Sequence, residues 1–167
     1  MKQLTLIRHA KSSWKDAYLL DMDRPLKKRG KRDAPMMGKR LAERESSPDL
    51  LVSSPAKRAL ATAEMIATEI EYPLEEIVVI EKLYSAEVAG WLKIVQGFDD
   101  GLDHVMCIGH NPGLTDFVNH ISTDHFIDNV PTCGVVEMTF DIESWASVGH
   151  VEPSQVEFDY PKKEQPD

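Results

Sequence analysis

The chain has 167 residues, enough for one domain with a sizeable core and too few for two comfortable ones. A net charge of −9 argues against nonspecific nucleic-acid binding as the main role. No apolar run approaches the length of a membrane span, and the N-terminus lacks a signal-peptide stretch.

KQLTLIR (2–8) reads as a first strand, a short and partly β-branched apolar run. A loop with Asp16, Asp21 and Asp23 follows. The spacing of Ala34, Met37 and Leu41 predicts a helix over 27–45, in which Pro35 either begins the helix or kinks it. DLLVSS (49–54) is a second buried strand. Ser54-Pro55 then reads as an N-cap with proline at the first helical position, and Leu60, Ala63, Ala67 and Ile70 carry the helical face onward. EEIVVIEKL contains a third strand, 87–97 a helix, and DHVMCIGH (103–110) a fourth strand. Asn111-Pro112 repeats the cap-plus-proline device before a helix through Ile121. GVVEMTF (134–140) is a fifth strand, with weaker β signals near 145–151. From Glu152 onward three prolines and many charges predict a partly frayed tail, 152–167, behind one domain of residues 1–151.

Alternating strands and helices imply a mainly parallel sheet with helices on both faces. In such sheets ligands bind beyond the carboxyl ends of the strands. Arg8-His9, Ser53-Ser54 and His110-Asn111 all fall at those ends and are expected to converge. Arg8 offers a planar, charged fork for phosphate or carboxylate, and Arg58, one turn beyond Ser54, can swing back over its helix start. Helix N-termini after Ser54 and Asn111 add partial positive charge, and His9 and His110 titrate near neutrality. The charge distribution agrees: residues 1–58 hold 15 of the 19 Lys and Arg against seven acids, so +8, and the remainder sums to −17. No spacing offers a metal cage. The two cysteines, Cys107 and Cys133, do not make a disulfide framework and read as reduced core residues of a cytoplasmic protein. The constellation is two arginines and two imidazoles around a tetrahedral anion.

Arg8-His9-Ala10, Ser53-Ser54-Pro55 with Arg58, and Gly109-His110-Asn111 resemble the histidine phosphatase superfamily. DRPLKKRG, PDLLVSSPAKRALATAE and VMCIGHNPGL are most similar to its small SixA-type branch of phosphohistidine phosphatases. The resemblance implies a single-domain three-layer αβα sandwich of phosphoglycerate mutase-like fold with minimal insertions. It implies His9 as a nucleophile that becomes phosphorylated, with Arg8, Arg58 and His110 on the nonbridging oxygens, no metal and no cofactor. The implied partners are a phosphorylated substrate or a phosphohistidine-bearing protein, with no nucleic acid or membrane, the chain acting as a monomer or weak homo-oligomer.

Larger members carry RHG, then Ser and Asn further on, where this chain has Ala10, Ser12 and Lys15; Ser12 is a candidate phosphate ligand. Many members place an acid where this chain has Ser85 or Asn111. Glu81 and Glu87 flank the first of these places and are the candidate general acids. Thr132 and Trp14 are taken as a loop residue and a residue at the mouth of the site or over the core edge. A phosphate-binding module without turnover, a small-molecule phosphatase of the same superfamily and a metallohydrolase are the competing readings. A mutase is disfavoured, because so few insertions leave the site open.

Overall fold

The structure, a computed structural model, describes residues 1–166. Six strands form one sheet: β1 (Lys2–Arg8), β2 (Leu50–Ser53), β3 (Val78–Val79), β4 (His104–Gly109), β5 (Val135–Phe140) and β6 (Gln155–Asp159). Their spatial order is β3-β2-β4-β1-β5-β6. The first four run parallel; β5 lies antiparallel to β1, and β6 antiparallel to β5. Four α-helices, α1 (Lys28–Glu43), α2 (Lys57–Glu69), α3 (Val88–Gln96) and α4 (Gly113–Ile121), complete an αβα sandwich.

Strand alternation sends side chains to two cores. Val105 and Cys107 of β4 pack with Trp91 of α3 and Phe117 of α4, whereas Met106 and Ile108 pack with Met37 of α1 and Ile66 of α2. Every residue of β4 is therefore buried, as expected of a strand covered on both faces. Both cysteines are buried free thiols.

The sheet includes a strand that the sequence pattern hides. The stretch from Glu152, expected to fray, supplies β6, paired with β5 from Val135↔Asp159 to Thr139↔Gln155. Its charges misled because Asp159 is buried against Arg40 and Arg44, while Val156 and Phe158 pack on the core. Asp167, the last residue of that segment, lies outside the described residues. The β signal near 145–151 resolves into a 3-10 turn, Trp145–Ser147, and one isolated bridge between Val148 and Val151.

Pro35 lies inside α1 and does not begin it. The two cap-plus-proline devices sit upstream of the helices they were expected to start: α2 is capped at Ala56 and α4 at Pro112, neither with a side-chain cap bond. Ser54 Oγ accepts from Ala56 N–H at 3.2 Å, and Asn111 Oδ1 from Thr115 N–H at 3.2 Å. Both polar groups thereby stay at the strand ends. No helix among the described residues is long and apolar enough to cross a membrane.

Candidate active site

β1 and β4 are paired in parallel from Gln3↔His104 to Arg8↔Gly109, so His9 and His110 emerge side by side. Their ring centroids are 5.1 Å apart. The His9 N–H continues the ladder to the Gly109 carbonyl at 3.1 Å. Gly109 is required here by a close approach, since a Cβ would lie 2.5 Å from the Trp91 ring. Across β1, Cys133 adopts φ +60° and its N–H donates to the carbonyls of Arg8 and His9 at 3.0 and 3.1 Å. A non-glycine residue held there costs about 1–3 kcal/mol, which the surrounding packing must offset. The turn thereby straps the end of the strand. On the other side, Gly30 lets α1 press on the loop after β1, where a Cβ would lie 2.3 Å from the Lys11 carbonyl oxygen.

The cleft above this edge has a volume of about 390 Å³. Arg8, His9, Ser12, Arg58 and His110 line it, joined by Lys11, Trp14, Asp21, Arg24, Tyr84, Asn111 and Thr132. His9 is 7 % exposed. Its Nδ1 lies 2.8 Å from the Ala10 carbonyl oxygen. A carbonyl only accepts, so Nδ1 carries the proton and the lone pair of the neutral ring is on Nε2. Burial lowers the His9 pKa to about 3 against that bond, helped by His110, Arg58 and Arg8.

His110 Nε2 is 2.7 Å from Ser54 Oγ. That oxygen also accepts from Ala56 N–H, and its own proton is available to Nε2; with that proton donated, the ring proton sits on Nδ1. Burial lowers the His110 pKa to about 4, with Arg58 adding to the shift and Asp21 opposing it. Arg58 reaches the cleft from the first turn of α2, as its spacing from Ser54 predicts. Its Nη1 donates to the Asp21 carbonyl at 2.7 Å and its Nη2 to the Asp21 carboxylate at 3.0 Å. Arg8 Nη1 donates to the Val130 carbonyl at 3.2 Å. Arg8 Nε, Arg58 Nε and His110 Nδ1 are buried and have no partner among the described residues. Each such donor costs about 1–3 kcal/mol unless something accepts from it.

Neither candidate acid lines the cleft. The 3-10 turn Glu81–Ser85 buries Leu83 and turns Tyr84 toward the cleft, leaving Glu81 exposed; Glu87, before α3, is exposed as well. Ser85 is also outside. The carboxylate that lines the cleft is Asp21, which no motif in the sequence marks. Tyr84 O–H donates to it, and with Arg58 and Arg24 holds its pKa far below the usual carboxylate range. Asp21 in turn raises the Tyr84 pKa. Arg24 is the second residue not singled out. Its Nη1 donates to Ser12 Oγ at 2.9 Å, and its guanidinium carbon lies 3.5 Å from the Trp14 ring centroid. The available signal was its place in DRPLKKRG. Tyr84, edge-on to His110 at 5.5 Å, had none.

Lys15 is exposed and does not line the cleft. His104 is buried at the opposite end of β4 on Thr5, and His120, His125 and His150 are exposed. No group of three or more His, Cys, Asp or Glu side chains among the described residues is placed to hold a metal.

A mainly parallel sheet with a cationic, imidazole-bearing cleft at its carboxyl edge sets the chain among the α/β proteins whose ligand sites lie at strand ends. More narrowly, it belongs to the histidine phosphatase superfamily (branch 1), whose family model matches residues 4–87, half of the chain. Among solved structures it is similar to a candidate phosphohistidine phosphatase SixA from Agrobacterium tumefaciens, with TM-score 0.76 and 26% identity over 82% of this chain and 90% of that one. The fold also matches a protein histidine phosphatase SixA complexed with tungstate, with TM-score 0.77 and 21% identity over 95% and 94% of the two chains. An uncharacterized chloroplastic protein of Arabidopsis thaliana is 33% identical over 129 residues, 72% of this chain. An uncharacterized Mycobacterium tuberculosis protein is 32% identical over 106 residues, 64% of this chain. These matches span 59% and 63% of the two relatives' own lengths, less than two thirds of each.

Proposed function

We propose that the protein is a phosphatase that works through a phosphohistidine on His9 and needs no metal ion. The observation that carries this reading is the state of His9: a neutral ring, its Nδ1 proton held on the Ala10 carbonyl, and Nε2 free in a cleft walled by arginines. In the first step the Nε2 lone pair bonds to phosphorus. The bond from phosphorus to the leaving group breaks, and the leaving group departs with its electrons and takes a proton from solvent. Water then attacks the phosphorus, the P–N electrons return to Nε2, and the surplus proton of the water is released. Arg8, Arg58 and His110 hold the nonbridging oxygens throughout, and Ser12 O–H, whose oxygen accepts from Arg24, is free to add a donor. Such transfers depend mainly on positioning and on charges set in advance, which fixed cations supply.

The substrate class follows from the leaving side. The carboxylate lining the cleft is held ionised and is a poor acid, so the leaving group must be good in its own right. The imidazole of a phosphohistidine meets that demand. The cleft is also open: only a 3-10 turn and α1 separate β1 from β2, and only a 3-10 turn and α3 separate β3 from β4. A phosphohistidine on a protein surface can enter such a site, and the similarity to SixA proteins supports the same choice.

The test is hydrolysis of p-nitrophenyl phosphate and of a phosphohistidine peptide in excess chelator. Wild type should turn over both and His9→Ala neither. Turnover that disappears with chelator, or that survives in His9→Ala, would contradict the proposal.

A further inference from the structure

We infer that a second groove, beside the cleft, binds the polypeptide flanking the phosphorylated residue and selects an acidic side chain next to an apolar one. The inference rests on the phosphatase reading above and names the protein segment that accompanies the phosphoryl group.

Thr132 lines both the cleft and this groove, so a chain whose phosphoryl group sits over His9 leaves across Thr132 into it. The groove holds about 410 Å³, as much again as the cleft. Its floor is apolar, made by Met36, Pro131 and Tyr160, and its rim is cationic, made by Arg29, Arg32 and Lys162. A cationic rim is notable on a chain of net charge −9. It is also held in place. Asp33, with its side chain 5 % exposed, lies 3.7 Å from Arg29 Nε and 3.3 Å from Arg32 Nε. The side chain of Arg32 is 71 % exposed, and its outer nitrogens make no hydrogen bond among the described residues. Arg29 Nη2 reaches back to Thr132 Oγ1 at 3.5 Å, at the boundary with the cleft.

One buried carboxylate therefore orients two guanidiniums, leaving the tip of Arg32 toward solvent and that of Arg29 at the boundary with the cleft. A partner meets cations already ordered, which lowers the entropy lost on binding. The rim carries three positive charges against the one on Asp33, so the complement is an acidic side chain; the floor beside it accepts an apolar one. A small phosphate ester fills the cleft alone and makes none of these contacts.

The experiment uses two phosphohistidine peptides of one length, made with phosphoramidate, flanked by Leu-Glu or by Leu-Lys. Wild-type kcat/KM should favour the acidic flank about tenfold, the scale of two or three partly exposed charge pairs. In Arg29→Gln/Arg32→Gln the preference should fall to about twofold or less, with p-nitrophenyl phosphate turnover unchanged. Lys162→Glu, which disturbs no ion pair among the described residues, should lower the preference by itself if the double variant folds poorly. Equal wild-type rates on the two flanks, or a loss shared equally by both peptides and the aryl ester, would overturn the inference while leaving the phosphatase reading intact. Absence of aryl phosphate turnover in wild type would count against that reading instead. Fluorescence anisotropy of both peptides on His9→Ala then still decides the inference, since binding without acidic preference contradicts it.

Discussion

Two clusters of buried charge in this protein obey different rules. Between α1 and the β5-β6 pair, Glu137 accepts from Ser46 at 2.7 Å, Gln3 at 3.0 Å and Arg44 at 3.2 Å, and Asp159 accepts from Arg40 and Arg44 at 3.1 and 3.0 Å. Two carboxylates meet two guanidiniums, and the cluster is complete. In the cleft, Arg8, Arg24 and Arg58 share one carboxylate, Asp21, which pairs with Arg24 and Arg58 alone; both imidazoles are driven neutral, and three buried nitrogens lack partners among the described residues. A matched cluster holds a fold together, whereas one left with surplus cations is stabilised by an anion that arrives from outside. Burial alone does not separate the two; the balance of partners does.

The contrast can be broken first at His9. His9→Ala should lower turnover of an aryl phosphate by about 10³-fold or more, because the proposed nucleophile is gone, with little change in the thermal midpoint. Next comes Arg58→Lys, which keeps the charge and loses the fork; steady-state kinetics should show a loss of about 10²-fold. The matched cluster should behave in the opposite way. Glu137→Ala should lower the unfolding free energy in urea by about 2–3 kcal/mol and leave kcat/KM unchanged, because it removes the acceptor shared by Ser46, Gln3 and Arg44 far from the cleft.

A subtler difference concerns pH. Folding lowers the pKa of His9 from 6.5 to about 3 and that of His110 from 6.5 to about 4. Below pH 6.5 the unfolded chain therefore takes up protons that the folded cleft refuses. The stability these rings confer by staying neutral is full above 6.5 and is lost as pH falls through their folded values. Denaturation from pH 7 to pH 4 should show a steeper decline for wild type than for a His9→Ala/His110→Ala double variant, and saturating phosphate should reduce that decline. Parallel curves would mean that the rings are not held neutral. The smallest effect is expected at Glu81→Gln and Glu87→Gln, each within about twofold of wild type, as for exposed residues away from the reaction. A loss of 10²-fold or more at either, the scale of a working general acid, would place an acid where the structure shows none.

The same contrast explains what the sequence could tell. Strand ends are legible because an apolar run stops at polar side chains, so Arg8, His9 and His110 could be picked out, and helical spacing brought Arg58 with them. The sheet class followed from alternation. The sequence points to carboxylates near Ser85, whereas the 3-10 turn presents Tyr84 and the carboxylate of the cleft comes from Asp21, 63 residues earlier in the chain. Such a contact depends on two loops meeting, and no local pattern encodes that. β6 escaped for a related reason: the partners that let Asp159 be buried lie on α1, more than a hundred residues away. Helix starts shifted because Ser54 accepts from Ala56, itself the cap of α2, and Asn111 reaches Thr115 in the first turn of α4 from one residue before the cap.

Rapid-quench labelling tests the central claim most directly. Wild-type protein mixed with a radioactive phosphate ester and quenched in base within one turnover should carry base-stable, acid-labile label. Peptide mapping should place that label on the segment containing His9, and His9→Ala should carry none. Label on His110, or turnover with no covalent label at any quench time, would contradict the assignment of His9 as nucleophile.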